Sequence, residues 1–246
     1  MAQVSLAVNL PGDVQGTHMS RFMEQLSVFS KEGKLSYDIR SFLEKVLEVT
    51  EAQEVYAEFV FDYFVEKSAP VTGKSAPMAY QITLKPSLRN VAETTLETES
   101  GPMTFPADEI YEIELGVAVL AANCCPCSKA ISSYGAHNQR IHLRANFWLE
   151  EDTDFENLPL EDLITRLEEA ASISMYPILK RPDEKHVTEQ GYDNPKFSED
   201  VARNAVENLA SLQEHGIMGY ELEVEAEESI HTHNAFVKLE HVFDGA

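Results

Sequence analysis

Between residues 138 and 149 apolar and polar side chains alternate without interruption, and no other feature constrains the fold of this chain so tightly. Ile141, Leu143, Ala145, Phe147 and Leu149 share one phase; Arg140, His142, Arg144 and Asn146 share the other. Successive side chains of a strand point to opposite faces, so the segment reads as a strand with one face in a core and one face polar.

Such a sheet needs a cover for its apolar face, and the chain offers amphipathic helices. Helices are predicted over 18–29, capped by Thr17, and over 36–52, where Ile39, Phe42, Leu43, Val46 and Leu47 recur at helical spacing. Two more fall at 160–171, with Leu163, Ile164 and Leu167 on one side, and at 198–212, with Val201, Ala205 and Leu209 inward. Further strands are expected at 2–9, 55–65, 79–86, 220–226 and 230–241. Residues 68–77 read as a Pro/Gly/Ser-rich link, 90–106 as one more strand and a turn, and 107–122 as a helix leading to the cysteines. Strand, helices and strands thus recur twice, which points to an α+β chain of two similar halves.

The 246 residues are enough for one large domain or two smaller ones. The formal net charge of −23 argues against non-specific nucleic-acid binding, because the chain has no long-range attraction for phosphate. A small anionic ligand remains compatible with that charge if a local basic pocket overrides it. No apolar run approaches bilayer-spanning length, and the first residues lack a basic n-region and a long apolar stretch, so no membrane association and a cytoplasmic location are expected.

All three cysteines lie in Asn123-Cys124-Cys125-Pro126-Cys127-Ser128-Lys129, with His137 twelve residues after Cys125. A local, odd-numbered set in a reducing compartment is metal-binding or catalytic more often than a disulfide framework. Cys125-Pro126-Cys127 is too short for the two-thiolate chelate of a zinc finger, so one thiolate would ligate while the other supports it or moves protons. His231 and His233 sit at i and i+2 on a predicted strand, where both imidazoles can meet one ion or simply face solvent. Glu184 lies in a charged loop and Glu199 near a helix start, where an acid is also favourable for electrostatic reasons alone. Arg140 and Arg144, on one face of the 138–149 strand, are placed to clamp phosphates or to pair with the abundant glutamates. Neither a Walker A motif nor a glycine-rich dinucleotide fingerprint is present.

Five blocks taken together resemble the type IB (FolE2-like) GTP cyclohydrolase I family: Gly16-Thr17-His18-Met19-Ser20-Arg21-Phe22, Cys125-Pro126-Cys127-Ser128-Lys129, Gly135-Ala136-His137-Asn138-Gln139-Arg140, Lys180-Arg181-Pro182-Asp183-Glu184-Lys185, and Ser229-Ile230-His231 with His233-Asn234-Ala235. The resemblance implies a tunnelling fold, with antiparallel sheets carrying helices on one side, as two fused modules of roughly residues 1–95 and 96–246. It implies hydrolysis of GTP to 7,8-dihydroneopterin triphosphate and formate in tetrahydrofolate synthesis, by homotetramers with active sites between subunits. It implies one divalent metal per site (zinc, manganese or ferrous iron), held by Cys125, His231 and His233, with Glu184 a weaker candidate. Cys125, Cys127 and His137 then form the catalytic set, with His137 also able to ligate. Glu199 anchors the purine, and Arg140, Arg144, Lys180 and Arg181 hold the triphosphate.

The chain departs from the family's pattern in two places. Cys124 doubles the thiol before Cys125, where it either competes for metal or packs. Thr232 and Asn234 stand where proline and aspartate are expected. A cyclohydrolase releasing a cyclic phosphate and a non-catalytic purine- or metal-binding protein are the alternatives. Phosphate analysis of the product separates the first, and tight GTP binding without formate marks the second.

Overall fold

The computed structural model of the protein describes residues 1–10, 12, 16, 18–32, 39–98, 101–153, 155 and 158–243. One antiparallel sheet organises the described residues. Its strands are β1 (Ala2–Val8), β2 (Glu54–Ser68), β3 (Ser75–Val91), β6 (Asp108–Cys124), β7 (Asn138–Leu149), β9 (Ile217–Ala226) and β10 (Ala235–Val242), side by side in that order. A short β8 (Ile173–Ser174) adds to β6, and β4 (Thr94–Thr98) with β5 (Gly101–Phe105) forms a separate hairpin.

Register turns the alternating sequence into continuous apolar rungs. Val4, Phe59, Leu84, Leu115, Phe147, Tyr220 and His241 are successive cross-strand partners from one sheet edge to the other. Residues directly opposite each other share a face, so each such rung presents its side chains to the same side. Helices α1 (Met19–Glu32) and α2 (Ile39–Thr50) lie over the first half of that face, with Phe29 stacked on Phe42 at 4.7 Å and both near Phe59. Helices α4 (Leu160–Ala170) and α6 (Ser198–Leu209) cover β6, β9 and β10. Leu43, Val46, Leu163, Leu167, Val201 and Leu209 are all sealed from solvent. Each fully buried side chain of this size contributes roughly 1.5–3 kcal/mol.

The other face of the sheet carries charge. Lys85 meets Glu114 at 3.7 Å, Arg144 meets Glu225 at 3.3 Å, and Lys238 lies between Glu221 at 2.8 Å and Glu223 at 3.2 Å. These exposed cross-strand pairs keep the polar face in register more than they stabilise it.

Several sequence expectations need correction. Residues 107–122 are not a helix but most of β6, a central strand. Its apolar residues fit helical spacing, yet Tyr111, Ile113, Leu115, Val117, Val119 and Ala121 are the buried set, a strict period of two. The supposed link at 68–77 shrinks to a tight turn between β2 and β3, and β3 runs on through Pro86 to Val91 because Leu84 and Leu88 keep the phase of the buried face. The loop around Glu184 is largely helix α5 (Arg181–Asp193), which buries little beyond Asp183 and Gly191 and so lacks an apolar stripe to announce it. The strand predicted over 230–241 starts only at Ala235. Thr17 and the predicted helix start at Ser36 lie outside the described residues. No helix among the described residues is long and apolar enough to cross a membrane.

Candidate active site

The predicted cysteines and histidines lie at one end of the sheet, where β6 finishes, β7 starts, β9 finishes and β10 starts. Cys124 closes β6 opposite Asn138, the first residue of β7. Between them Pro126 opens the short helix α3 (Pro126–Ile131), a position where its missing N–H is no loss. Gly135 turns the chain back toward β7 with φ 122°, a conformation that side-chain-bearing residues rarely adopt.

Backbone bonds knot this segment. The Cys125 amide donates to the His137 carbonyl at 3.1 Å, and the Cys125 carbonyl accepts from the Lys129 amide at 3.2 Å and the Ser128 hydroxyl at 3.2 Å. The His137 amide donates to that same hydroxyl at 3.2 Å. Cys125 and His137 are therefore held together, both half-buried, while Cys127 is exposed on α3. Cys124 is buried, and burial pushes its thiol up, away from the thiolate form a ligand needs. Of the two roles open to Cys124, the structure favours packing.

Side-chain bonds orient the His137 ring. Nδ1 lies 2.9 Å from Oε1 of Gln139, which is itself buried, and 3.4 Å from the Ser229 hydroxyl. An Nδ1–H donated to the amide oxygen leaves the Nε2 lone pair free to accept a proton or bind a metal. Neither Gln139 nor Ser229 stood out as functional in sequence, because nothing in a sequence shows which amide lies behind a histidine ring.

His231 and His233 project from the bends before β10, not from a strand as expected. Their rings nonetheless stack, with centroids 5.4 Å apart and planes 24° apart, and both are exposed. Asn234 ties the loop to Glu225 through a 3.0 Å bond, and the Glu227 amide donates to the Arg140 carbonyl at 2.9 Å. The Asn234 amide, then Arg144, hold the Glu225 carboxyl below its ordinary range. Arg144 thus already has an anionic partner, whereas Arg140 is exposed and makes no ion pair among the described residues. His142, between them on the same face, lies 2.7 Å from Glu227.

The carboxylates sit on two helix starts. Glu184, Lys180 and Arg181 are exposed around the first turn of α5. That turn is fastened by buried Asp183, which accepts from the Lys180 amide at 2.9 Å, the Val71 amide at 2.9 Å, the Thr72 amide at 2.8 Å and the Thr72 hydroxyl at 2.7 Å. Burial alone would raise this carboxyl, but the four hydrogen bonds outweigh it and hold it far below its usual range. Pro182 followed by Asp183 is a helix-start signal that could have found α5 in the sequence. Glu199 is exposed in the first turn of α6 and lines a groove of about 450 Å³ with Ala202, Arg203, Val206, Val237 and Leu239. Among the described residues, no three His, Cys, Asp or Glu side chains converge closely enough to hold a metal ion.

The sheet with helices on one face is the architecture of the tunnelling-fold proteins. A urate oxidase from Bacillus sp. TB-90 matches with a TM-score of 0.54 at 8% identity, covering 98% of this chain and 87% of that one. A uricase from Arthrobacter globiformis matches at 0.52 and 9%, covering 100% and 87%. At such low identity these likenesses bear on the fold alone.

Sequence comparison gives the family. The model for type I GTP cyclohydrolase folE2 matches residues 1–237. The GTP cyclohydrolase FolE2 of Paraburkholderia phymatum is 41% identical over 239 residues, which is 96% of this chain and 78% of that protein. The proteins of that name from Cupriavidus pinatubonensis and Burkholderia thailandensis are 40% and 41% identical, with the same coverage. The chain belongs to the type I GTP cyclohydrolase FolE2 family.

Proposed function

We propose that this protein hydrolyses GTP to 7,8-dihydroneopterin triphosphate and formate, the first committed step toward tetrahydrofolate. The observation that carries the reading is the Cys125–His137 knot at the sheet end, in a chain matched to the cyclohydrolase family over residues 1–237.

C8 of guanine must be attacked by water, the imidazole ring opened and formate released, and each stage moves protons. His137, with Nε2 free, is suited to accept and return them, and exposed Cys127 is a second proton-transfer group. The donor types fit a divalent metal: a half-buried thiol at Cys125, two neighbouring imidazoles at His231 and His233, and the weaker candidate Glu184. Such an ion would lower the pKa of the attacking water. Affinity order favours zinc over ferrous iron and manganese, while availability in the cell decides occupancy. Glu199 is the purine anchor, since one carboxylate can accept from guanine N1–H and its 2-amino group together. Arg140, Lys180 and Arg181 are the triphosphate contacts, and Arg144 joins them only by leaving Glu225.

In this reading the chain is two tandem modules, roughly residues 1–95 and 96–246; the order strand, two helices, two strands of β1-α1-α2-β2-β3 recurs in β7, α4, α6, β9 and β10 once β8 and α5, which lie between α4 and α6, are counted as insertions. It acts in the cytoplasm as a homotetramer whose sites lie between subunits, so side chains from a neighbouring copy complete the donor set. Purified protein is incubated with GTP, with EDTA, and then with Mn²⁺, Zn²⁺ or Fe²⁺, and formate and oxidised neopterin are quantified. Metal-restored formation of both is expected. Tight GTP binding by folded protein, with no formate under any metal, would overturn the reading.

A further inference from the structure

The chain between α5 and α6 is fastened more heavily than its position on the surface requires. Lys196 is held at three places. Its amide donates to the Cys124 carbonyl at 3.1 Å, one residue before Cys125. Its carbonyl accepts from the Asn123 side-chain amide at 2.6 Å. Its ammonium donates to the last carbonyls of α4, Ala170 at 2.8 Å and Ala171 at 2.9 Å. A cation there satisfies groups that a helix C-terminus leaves unpaired and lies at the negative end of its dipole.

The surroundings reinforce the fastening. Asn123 is 1% exposed, and its oxygen accepts from the Ser172 hydroxyl at 2.8 Å; that hydroxyl in turn accepts from the Cys124 amide at 3.2 Å. At the end of α5, just before this strap begins, Lys129 of α3 donates to the Tyr192 carbonyl and sits 4.3 Å from the centre of its ring. Gly191, just before Tyr192, has no room for a Cβ, which would lie 2.1 Å from a methyl of Ile173. Buried polar groups this fully paired are rigid, because releasing any one strands the others.

Phe197 follows Lys196, and Glu199 stands in the first turn of α6 just beyond it. We infer that Lys196 is a positioning residue for the reaction: its main chain joins the end of β6 to the start of α6, its ammonium pins that joint to the end of α4, and together they set the distance between Cys125 and the Glu199 carboxylate, and so where C8 of an anchored guanine falls. The inference rests on the proposed role of Glu199. Asn123 and Lys196 do not touch the substrate; they act through the two groups that do. A displacement of about 1 Å at the reacting atom can cost on the order of a hundredfold in rate.

The test is the kinetics of Lys196→Met, Lys196→Arg, Asn194→Ala and Glu199→Gln, and of the Lys196→Met/Glu199→Gln double variant, well below each unfolding temperature. Asn194 is the control, because its side chain donates to the same helix end, Ala171 and Ser172, while its main-chain amide donates back to Gln190 and not to the cysteine strand. Lys196→Met should lower kcat roughly ten- to a hundredfold with KM for GTP within about threefold, and Lys196→Arg should recover part of that loss. Asn194→Ala should lower the unfolding temperature without changing kcat. In the Glu199→Gln background, Lys196→Met should cost much less than it does alone. An unchanged kcat in Lys196→Met, an equal loss in Asn194→Ala, or full additivity with Glu199→Gln would each overturn the inference while leaving Glu199 as anchor. If Lys196→Met does not fold, Lys196→Gln, which keeps a polar end but neither the length nor the charge, takes its place, and a wild-type kcat in that variant would overturn the inference. Unimpaired GTP binding by Glu199→Gln would overturn the anchor and the inference together.

Discussion

The cysteine segment and the histidine loop stand side by side at the same end of the sheet, yet they are built in opposite ways. Cys125 and His137 are joined through backbone and hydroxyl bonds that involve Ser128 and Lys129, and the ring of His137 is set by Gln139. His231 and His233 are exposed, and their loop is joined to the rest mainly through Ser229, Glu227 and Asn234. The fold therefore holds the Cys125 thiol and the imidazole proposed to transfer protons in place in advance. The other two imidazoles depend on whatever binds them, and the cost of ordering them falls on that binding event. This division suits the proposed site, in which a metal and a neighbouring subunit would complete the donor set.

The sharpest way to break the comparison is substitution at the thiol. Cys125→Ala should lower formate production by more than about a hundredfold and abolish metal binding, because losing a ligand exceeds the ten- to hundredfold usual for groups behind the ligands. Near wild-type activity in the metal-replete variant would remove Cys125 from the site. The double variant His231→Ala/His233→Ala should match that loss of activity, yet leave stability within about 0.5 kcal/mol, as exposed substitutions do. A large fall in its unfolding temperature would show that the loop is part of the framework after all.

Support beneath the prepared segment comes from α4, whose end Lys196 grips. Glu168 on that helix is buried, pairs with Lys67, accepts from Tyr80 at 2.7 Å, and so joins the two halves of the sheet. Burial first, then the bond to Glu168, pushes the Tyr80 hydroxyl far above its usual range, so it remains a donor. Glu168→Ala strands a half-buried ammonium and should cost about 3 kcal/mol in urea unfolding. Activity per folded molecule should hold at low temperature, since the grip on the helix end is untouched. If kcat falls as well, rigidity of the cysteine segment comes from the whole helix and not from its last turn.

The same contrast explains what the sequence discloses. The alternation from Ile141 to Leu149, and the stripes of α2, α4 and α6, report burial directly, and each lies where it was expected. β6 reads as a helix in sequence because its apolar residues satisfy both periods, and only its neighbours β3 and β7 decide between them. Helix α5 is hidden in the sequence because it is held by Asp183 and by capping, with no apolar stripe. The site divides likewise: the thiols and histidines are visible as residue types, whereas Asn123, Gln139, Ser172 and Lys196 acquire meaning only from partners 2–73 residues away.

A finer comparison lies on β7 between the two regions. Arg140 makes no ion pair among the described residues and its carbonyl holds the histidine loop, while Arg144 is committed to Glu225. Arg140→Ala should raise KM for GTP roughly tenfold, as expected for loss of one charge-assisted contact. Arg144→Ala should raise it less than about threefold, since its charge is already engaged. Equal effects would mean that GTP draws Arg144 away from Glu225.

The smallest expected effect concerns a core position away from both regions. Tyr220 is fully buried, packed among Phe147, His241 and Phe243, and its hydroxyl has no hydrogen-bond partner among the described residues. Burial pushes its pKa up from 10.0 to about 12. A folded-state value above the unfolded one means that folding favours the neutral phenol, so its contribution is intact below pH 10 and is lost as pH rises from there toward about 12. Tyr220→Phe removes an unpaired polar group and should be neutral or stabilising by about 1 kcal/mol at pH 7, with a flatter loss of stability above pH 10. Urea unfolding of both proteins at pH 7 and pH 11 measures it. A destabilised variant at neutral pH would show that the hydroxyl has a partner, and an unchanged alkaline slope would show that folding does not raise its pKa. Activity should not move in either case, because both the knotted segment and the loop lie beyond its reach.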